Sequence, residues 1–263
     1  MKENGYELDM TDARLYHEIY LSDLRKYDIN RLKQLSDILL KRLDNLLKVK
    51  YMKEFLNEVR TPIKGIKTKD KIINTILIFL LGIILGIFSK WLDNLNINNT
   101  VWWQNIIDIL DLRNVFYLFG IWIFIATTIS IFSKTPIRAS LNVFLFFIGM
   151  TVSYHLYTIY FSGFNPKNYM MIWYVITLIS PILAYICWYA KGKGKISLLI
   201  SSIIILAMLL SSFSIGIWYF DINSIIDLLL FIGTVLVLYM NPKKTIYSLT
   251  IATVLAYIVR TII

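Results

Sequence analysis

The chain has 263 residues, 57% of them hydrophobic and 17% charged, with a formal net charge of +10. A soluble domain that must keep a wettable surface cannot carry so apolar a composition, and a mean hydropathy of +0.62 points to a chain that meets lipid. The one cysteine, Cys187, excludes an intramolecular disulfide and a cysteine-based metal cluster.

Charge divides the sequence in two. Twelve of the seventeen acidic residues lie before position 71, with fifteen of the 27 Lys and Arg, and no Glu follows Glu58. Residues 1–70 are therefore polar and mildly basic, whereas most of the excess positive charge sits in short loops between later apolar runs. Charge placed there sets topology and attracts membrane lipids with anionic headgroups, and no nucleic-acid partner is expected. Residues 1–70 also lack the short apolar stretch of a cleavable signal, so the first apolar run is expected to be its own anchor.

From Met10 to Tyr27, Leu15, Tyr16, Ile19, Tyr20 and Leu24 recur at helical spacing behind Thr11 or Asp12 as a cap, which predicts a short amphipathic helix. A second helix is predicted from near Asp28 or Asn30 to about Arg60, where Pro62 stops it. Its apolar residues Leu32, Leu35, Leu39, Leu43, Leu46 and Val49 are widened by Ile38, Leu40 and Leu47 into a broad stripe rather than a strict heptad. Two arrangements would cover that stripe: an antiparallel hairpin closing on itself, or a bundle formed through residues 10–60 with another copy or a protein partner.

After Lys64, Lys67, Lys69 and Lys71, apolar runs follow near 72–91, 113–132, 140–161, 169–189, 196–220, 222–240 and 245–263. Each is about the length needed to cross some 30 Å of hydrocarbon. With a cytoplasmic N-terminus the inward loops carry Lys134 and Arg138, then Lys191, Lys193 and Lys195, then Lys243 and Lys244. The outward loops carry Asp93, Asp108 and Asp111 with Arg113 at the edge, then Lys167, then Asp221. This alternation follows the positive-inside rule and puts the C-terminus outside, with Arg260 reaching the headgroups. The predicted fold is all-α, a polytopic bundle of about seven membrane spans (71–263) joined to an N-terminal cytoplasmic helical hairpin (1–70). In the first outward loop Trp103, Ile106, Ile107 and Leu110 share a face beside Trp102, which predicts a helix along the outer interface.

The candidate chemistry is sparse. Gly82 and Gly86 form a small-xxx-small motif, read here as close helix packing within one chain. His155, with Ser153, Tyr154 and Tyr157 nearby and Asn142 further back, is either a proton or substrate-site residue or an imidazole satisfied by one hydrogen bond from a neighbouring helix. Asp227 is either a buried carboxylate able to bind a cation or a residue at the outer headgroup boundary. These three form the candidate intramembrane polar site. Ser197, Ser201, Ser202, Ser211, Ser212 and Ser214 read as interhelical hydrogen bonders. Lys134, Arg138, Lys191, Lys193, Lys195, Lys243 and Lys244 are predicted to contact anionic lipid. The glycines around Lys193 do not complete a phosphate-binding loop, one membrane histidine makes no metal site, and no catalytic motif or cofactor-binding motif is found.

The stretches SKTPIRASLNVFLFFIGMTVSYHLYT (Ser133–Thr158) and ISPILAYICWYAKGKGK (Ile179–Lys195) resemble a group of uncharacterised multi-pass membrane proteins of low-GC Gram-positive bacteria. The resemblance implies a bacterial inner-membrane setting and carries no activity, ligand or catalytic residue. The expected function is a non-enzymatic, oligomeric scaffold or channel-like effector acting through its cytoplasmic helices. The alternative is a small secondary transporter or flippase-like protein with His155, Asn142 and Asp227 along a polar path, although no internal repeat is evident and Pro181 is the one proline well inside a run.

Overall fold

The computed structural model describes residues 29–262 except 64, 66, 98, 99 and 217, so the helix predicted over 10–27 lies outside the described residues. The chain divides into two units, Met1–Phe55 and Leu56–Ile263. Helix α1, Ile29–Val59, runs 31 residues and contributes its last turn to the second unit. Among its described side chains in the first unit, the apolar residues Ile38, Leu39, Leu40, Leu43, Leu47, Tyr51, Met52 and Phe55 are between 43% and 66% exposed. Asp44 and Lys48, one turn apart, form an ion pair at 2.6 Å on the same helix.

The second unit is all-α apart from one short hairpin. After α1 come α2 (Thr68–Asn94), α3 (Trp102–Ile109), α4 (Leu112–Tyr117), α5 (Gly120–Phe132), α6 (Pro136–Phe161) and α7 (Lys167–Trp188), which tightens into a 3₁₀ turn over Tyr189–Lys191. Helix α8 (Gly194–Ser212) leads into β1 (Phe213–Ile215) and β2 (Phe220–Ile222), then α9 (Ile225–Leu238) and α10 (Pro242–Ile262). Four of these, α2, α6, α8 and α7 with its 3₁₀ extension, are long and apolar enough to cross a membrane.

Two predicted runs are corrected. The run 113–132 is not one helix: it breaks at Leu118–Phe119, leaving α5 with 13 residues, about 20 Å. Leu118 is extended there, and across the break the Trp122 indole donates to Phe116 O at 3.0 Å. The run 196–220 stops at Ser212, because the following residues alternate: Phe213 and Ile215 are buried around exposed Ser214. That period of two suits a strand, and β1 pairs antiparallel with β2 in the register Phe213↔Ile222, Ser214↔Asp221, Ile215↔Phe220. Just after β2, Asn223 donates from its side-chain amide to Ser211 O and from its backbone to Ser212 O, so these carbonyls at the C-terminal end of α8 find partners. The run 222–240 contributes α9, 14 residues long and about 21 Å, bounded by the Ser224 cap and by Pro242. The predicted outer-loop helix is present as α3, with Ile107 buried and Trp103 stacked on Trp91 at 6.2 Å.

Side-chain pairings give the packing directions. Thr75 meets Asn142 and Asn94 meets Ser162, so α2 and α6 run parallel. Ser140 meets Pro181, Thr151 meets Thr177 and His155 meets Tyr174, so α7 returns antiparallel to α6. Between α2 and α6 the backbones nearly touch. A Cβ built on Gly82 would lie 2.2 Å from Phe146 O, one on Gly86 2.3 Å from Met150 O, and one on Gly149 2.7 Å from Phe79 O. Only residues without side chains allow that approach, and the gain is dispersion contact that lipid cannot supply.

Two apolar clusters hold the bundle together. Trp122, Phe146 and Trp173 pack with ring centroids 6.0 and 6.3 Å apart in one cluster with Val143, Met150 and Met170. Ile205, Leu209, Phe213, Ala252 and Ala256 form a second cluster, which joins α8 and α10.

Candidate functional site

The basic ends of the helices hold the densest polar chemistry. Two helices open there by the same device. Thr135 precedes Pro136, and its hydroxyl accepts from Arg138 N at 3.2 Å; Asn241 precedes Pro242, and its Oδ1 accepts from Lys244 N at 2.8 Å. In each case the basic residue two places after the proline reaches across to the parallel neighbour. Arg138 Nη2 donates to Lys71 O and, at 2.6 Å, to Thr75 Oγ1 on α2. Lys244 Nζ donates to Ala190 O at 2.6 Å, Gly192 O at 3.3 Å and Ser197 Oγ at the start of α8.

Lys244 thus fills the carbonyl cluster after α7, where a helix dipole favours a cation. Burial and nearby Lys191 push its ammonium down to about 8, while the carbonyl oxygens hold it in place. Lys244→Met strips Ala190 O and Gly192 O of this donor and is expected to lower stability by about 2 kcal/mol. Thermal unfolding in detergent checks this against Lys243→Met, whose exposed side chain should leave the midpoint unchanged.

Around Arg138 the contacts continue. The Thr75 hydroxyl donates to Asn142 Oδ1 at 2.9 Å, and Asn142 Nδ2 donates to Ser133 Oγ at 3.3 Å. Beside them a cavity of about 390 Å³ is lined by Lys71, Asn74, Lys134, Arg138 and Asn142 on its polar side and by Leu77, Ile129 and Phe132 on its apolar side. A second cavity, of about 360 Å³, lies among α5, α6, α7 and α8. Its lining is mostly apolar, with Thr127, Ser130, Ser180 and Cys187 as exceptions.

The three residues predicted to share a polar path are held apart. Asn142 lines the first cavity, whereas neither His155 nor Asp227 does. His155 Nδ1 lies 2.7 Å from the Tyr174 hydroxyl and Nε2 lies 3.0 Å from Asn165 Oδ1. With the hydroxyl donating to Nδ1 and Nε2–H donating to the amide oxygen, a neutral imidazole is fully satisfied. Asp227 is 2% exposed, and its Oδ2 accepts from the Ser224 hydroxyl at 3.0 Å. Its Oδ1 has no hydrogen-bond partner but would stand 3.6 Å from a Cβ on Gly120, the first residue of α5. A carboxylate there faces the positive end of that helix.

The remaining predicted residues are spread over the basic loops. Lys134, Lys193, Lys195 and Lys243 are exposed, and Lys191 Nζ donates to Val237 O at 3.2 Å. Ser197 and Ser201 bond Ala190 O at 2.6 and 3.0 Å, while Ser202 bonds its own helix.

Sequence reading missed two clusters. At the opposite ends of α2 and α6, Lys90 is 7% exposed, lies 3.7 Å from Asp93 and sits over the Tyr154 and Phe164 rings, and Tyr154 donates to Asp93 at 2.6 Å. Lys90, at the end of a predicted span, would have been noticed as a cation needing a partner. Arg60 is the other. Its guanidinium lies 4.1 Å over the Trp188 ring and donates to Trp188 O and, at 2.9 Å, to Ile131 O, the terminal carbonyls of α7 and α5. No local pattern in the sequence connects Arg60 with those helix ends. Among the described residues no group of three or more His, Cys, Asp or Glu could hold a metal.

A chain with four such apolar helices in one packed bundle is a multi-pass α-helical membrane protein. No protein-family model, curated protein or solved structure matches it.

Proposed function

We propose that this protein is a non-enzymatic component of a bacterial inner membrane that assembles with copies of itself through α1 and acts as a scaffold or channel-like effector. The observation that supports this is the uncovered stripe on α1. Leu39, Leu43, Leu47, Tyr51 and Phe55 recur every four residues, and all are exposed. A helix with so much bare apolar surface is stabilised in water chiefly by packing that surface against a partner. The cavity beside Trp122 and Trp173 has a mostly apolar lining, which favours a scaffold, or a pore formed between copies, over a polar path through one chain. The basic loops 133–140, 191–195 and 241–244 face the cytoplasm in this reading, with α1 on the same side.

Crosslinking tests the assembly. In a Cys187→Ser background, Leu43→Cys is expected to give a disulfide-linked dimer under mild oxidation in native membranes. Lys41→Cys, on the opposite side of α1, should give several-fold less; under an amine-reactive crosslinker the full chain should dimerise, and removal of residues 1–60 should leave a monomer. A protein that stays monomeric with Leu43→Cys, or crosslinks equally from both faces, would refute assembly through this stripe.

A further inference from the structure

The cavity at the basic ends of α2, α5 and α6 has two unlike halves. Lys71, Lys134 and Arg138 line one, with no carboxylate in the wall; Leu77, Ile129 and Phe132 line the other. Among the described residues none of the three cations has an ion-pair partner. Asp70 adjoins Lys71 in the chain but lies outside the wall. The guanidinium of Arg138 is already oriented by its bonds to Lys71 O and Thr75 Oγ1, so little side-chain freedom remains to be lost when an anion arrives. The capped N-terminus of α6 opens at the same place and adds its own positive dipole. On the apolar side, Leu77 is 58% and Phe132 67% exposed, which continues the cavity as a greasy track along the outside of the bundle.

We infer that this cavity binds one anionic phospholipid, the phosphate between Lys71, Lys134 and Arg138 and an acyl chain along Leu77 and Phe132. The inference rests on membrane insertion and not on assembly through α1. Scattered surface lysines attract any anionic bilayer; a wall that joins three cations to an apolar track selects a molecule with both parts. A free phosphate would engage the first half alone, and a zwitterionic lipid brings its own cation to the lysines.

Thermal unfolding of the full chain in detergent, titrated separately with dioctanoyl phosphatidylglycerol, dioctanoyl phosphatidylcholine and inorganic phosphate, tests this. The phosphatidylglycerol is expected to raise the midpoint by several times the shift given by the other two. In K71Q/K134Q, whose native ammonium groups make no hydrogen bond among the described residues, its apparent affinity should weaken about tenfold or more. K193Q/K195Q removes equal charge from another loop and should keep the affinity within about twofold. Phe132→Ser should weaken lipid binding and leave any phosphate response unchanged, which keeps the test decisive should K71Q/K134Q fold poorly. Equal stabilisation by phosphatidylcholine, a full effect from phosphate alone, or equal loss in K193Q/K195Q would each overturn the proposal. The oligomeric state, read separately by crosslinking, does not enter these outcomes.

Discussion

Gly82→Leu is expected to be the most damaging single substitution in the bundle. A Cβ there would lie 2.2 Å from Phe146 O and 3.2 Å from Met150 N, both backbone atoms that no rotamer change can move aside. Helices α2 and α6 must then separate, opening the contacts of Gly86 and Gly149 as well, since all three glycines serve one interface. Overpacking of this kind costs about 3 kcal/mol, a fall of roughly 6 °C or more in the unfolding midpoint for a chain of this size. Gly163→Ala is the useful contrast for steric crowding, because nothing lies within 4 Å of a Cβ there. Its φ of +72° should cost about 1 kcal/mol through backbone strain alone. Scanning calorimetry or thermal fluorescence in detergent reads both. A Gly82→Leu midpoint equal to wild type would mean that the two helices do not approach as described.

Arg60→Ala is expected to rank second. One guanidinium satisfies terminal carbonyls of α5 and α7 and stacks on Trp188, whose own indole donates to Ser133 O at 2.6 Å. Removing it leaves two helix ends without their shared cap, a loss of about 3 kcal/mol for charged hydrogen bonds in a half-buried place. Arg60→Lys keeps the charge but cannot fork to two carbonyls and stack at once, so it should recover less than half of that loss. Full recovery by lysine would show that charge alone matters. No loss in the alanine variant would show that the helix ends find other partners.

These two positions illustrate how unevenly the sequence discloses the molecule. Gly82 and Gly86 are legible because small residues one turn apart inside an apolar run have few uses besides close packing. The candidate polar site is another matter. His155, Asn142 and Asp227 drew notice because each is costly alone in lipid, yet each has its own separate surroundings: His155 bonds Tyr174 and Asn165, Asn142 bonds Thr75 and Ser133, and Asp227 bonds Ser224 through one oxygen while the other has no hydrogen-bond partner. Cost identifies a residue that needs a partner and does not say who the partner is. The cavity near Arg138 escaped sequence reading for the complementary reason. Lys71, Lys134 and Arg138 stand on separate segments, and their convergence depends on α2 and α6 running parallel in one particular register.

By itself the sequence determined the all-α class, the long helix before Pro62 with its apolar residues and the placement of basic residues between apolar runs, because composition, helical periodicity and charge alternation act locally along the chain. The tertiary structure decided where helices stop. Leu118–Phe119 breaks one apolar run, with Trp122 bonding across the break to Phe116 O, and Ser212 ends another because Phe213 and Ile215 bury their side chains in a hairpin. Hydropathy averages over such events, since a strand, a broken helix and a continuous helix can be equally apolar. What separates them is which carbonyls and amides find partners, and those partners come from distant parts of the chain.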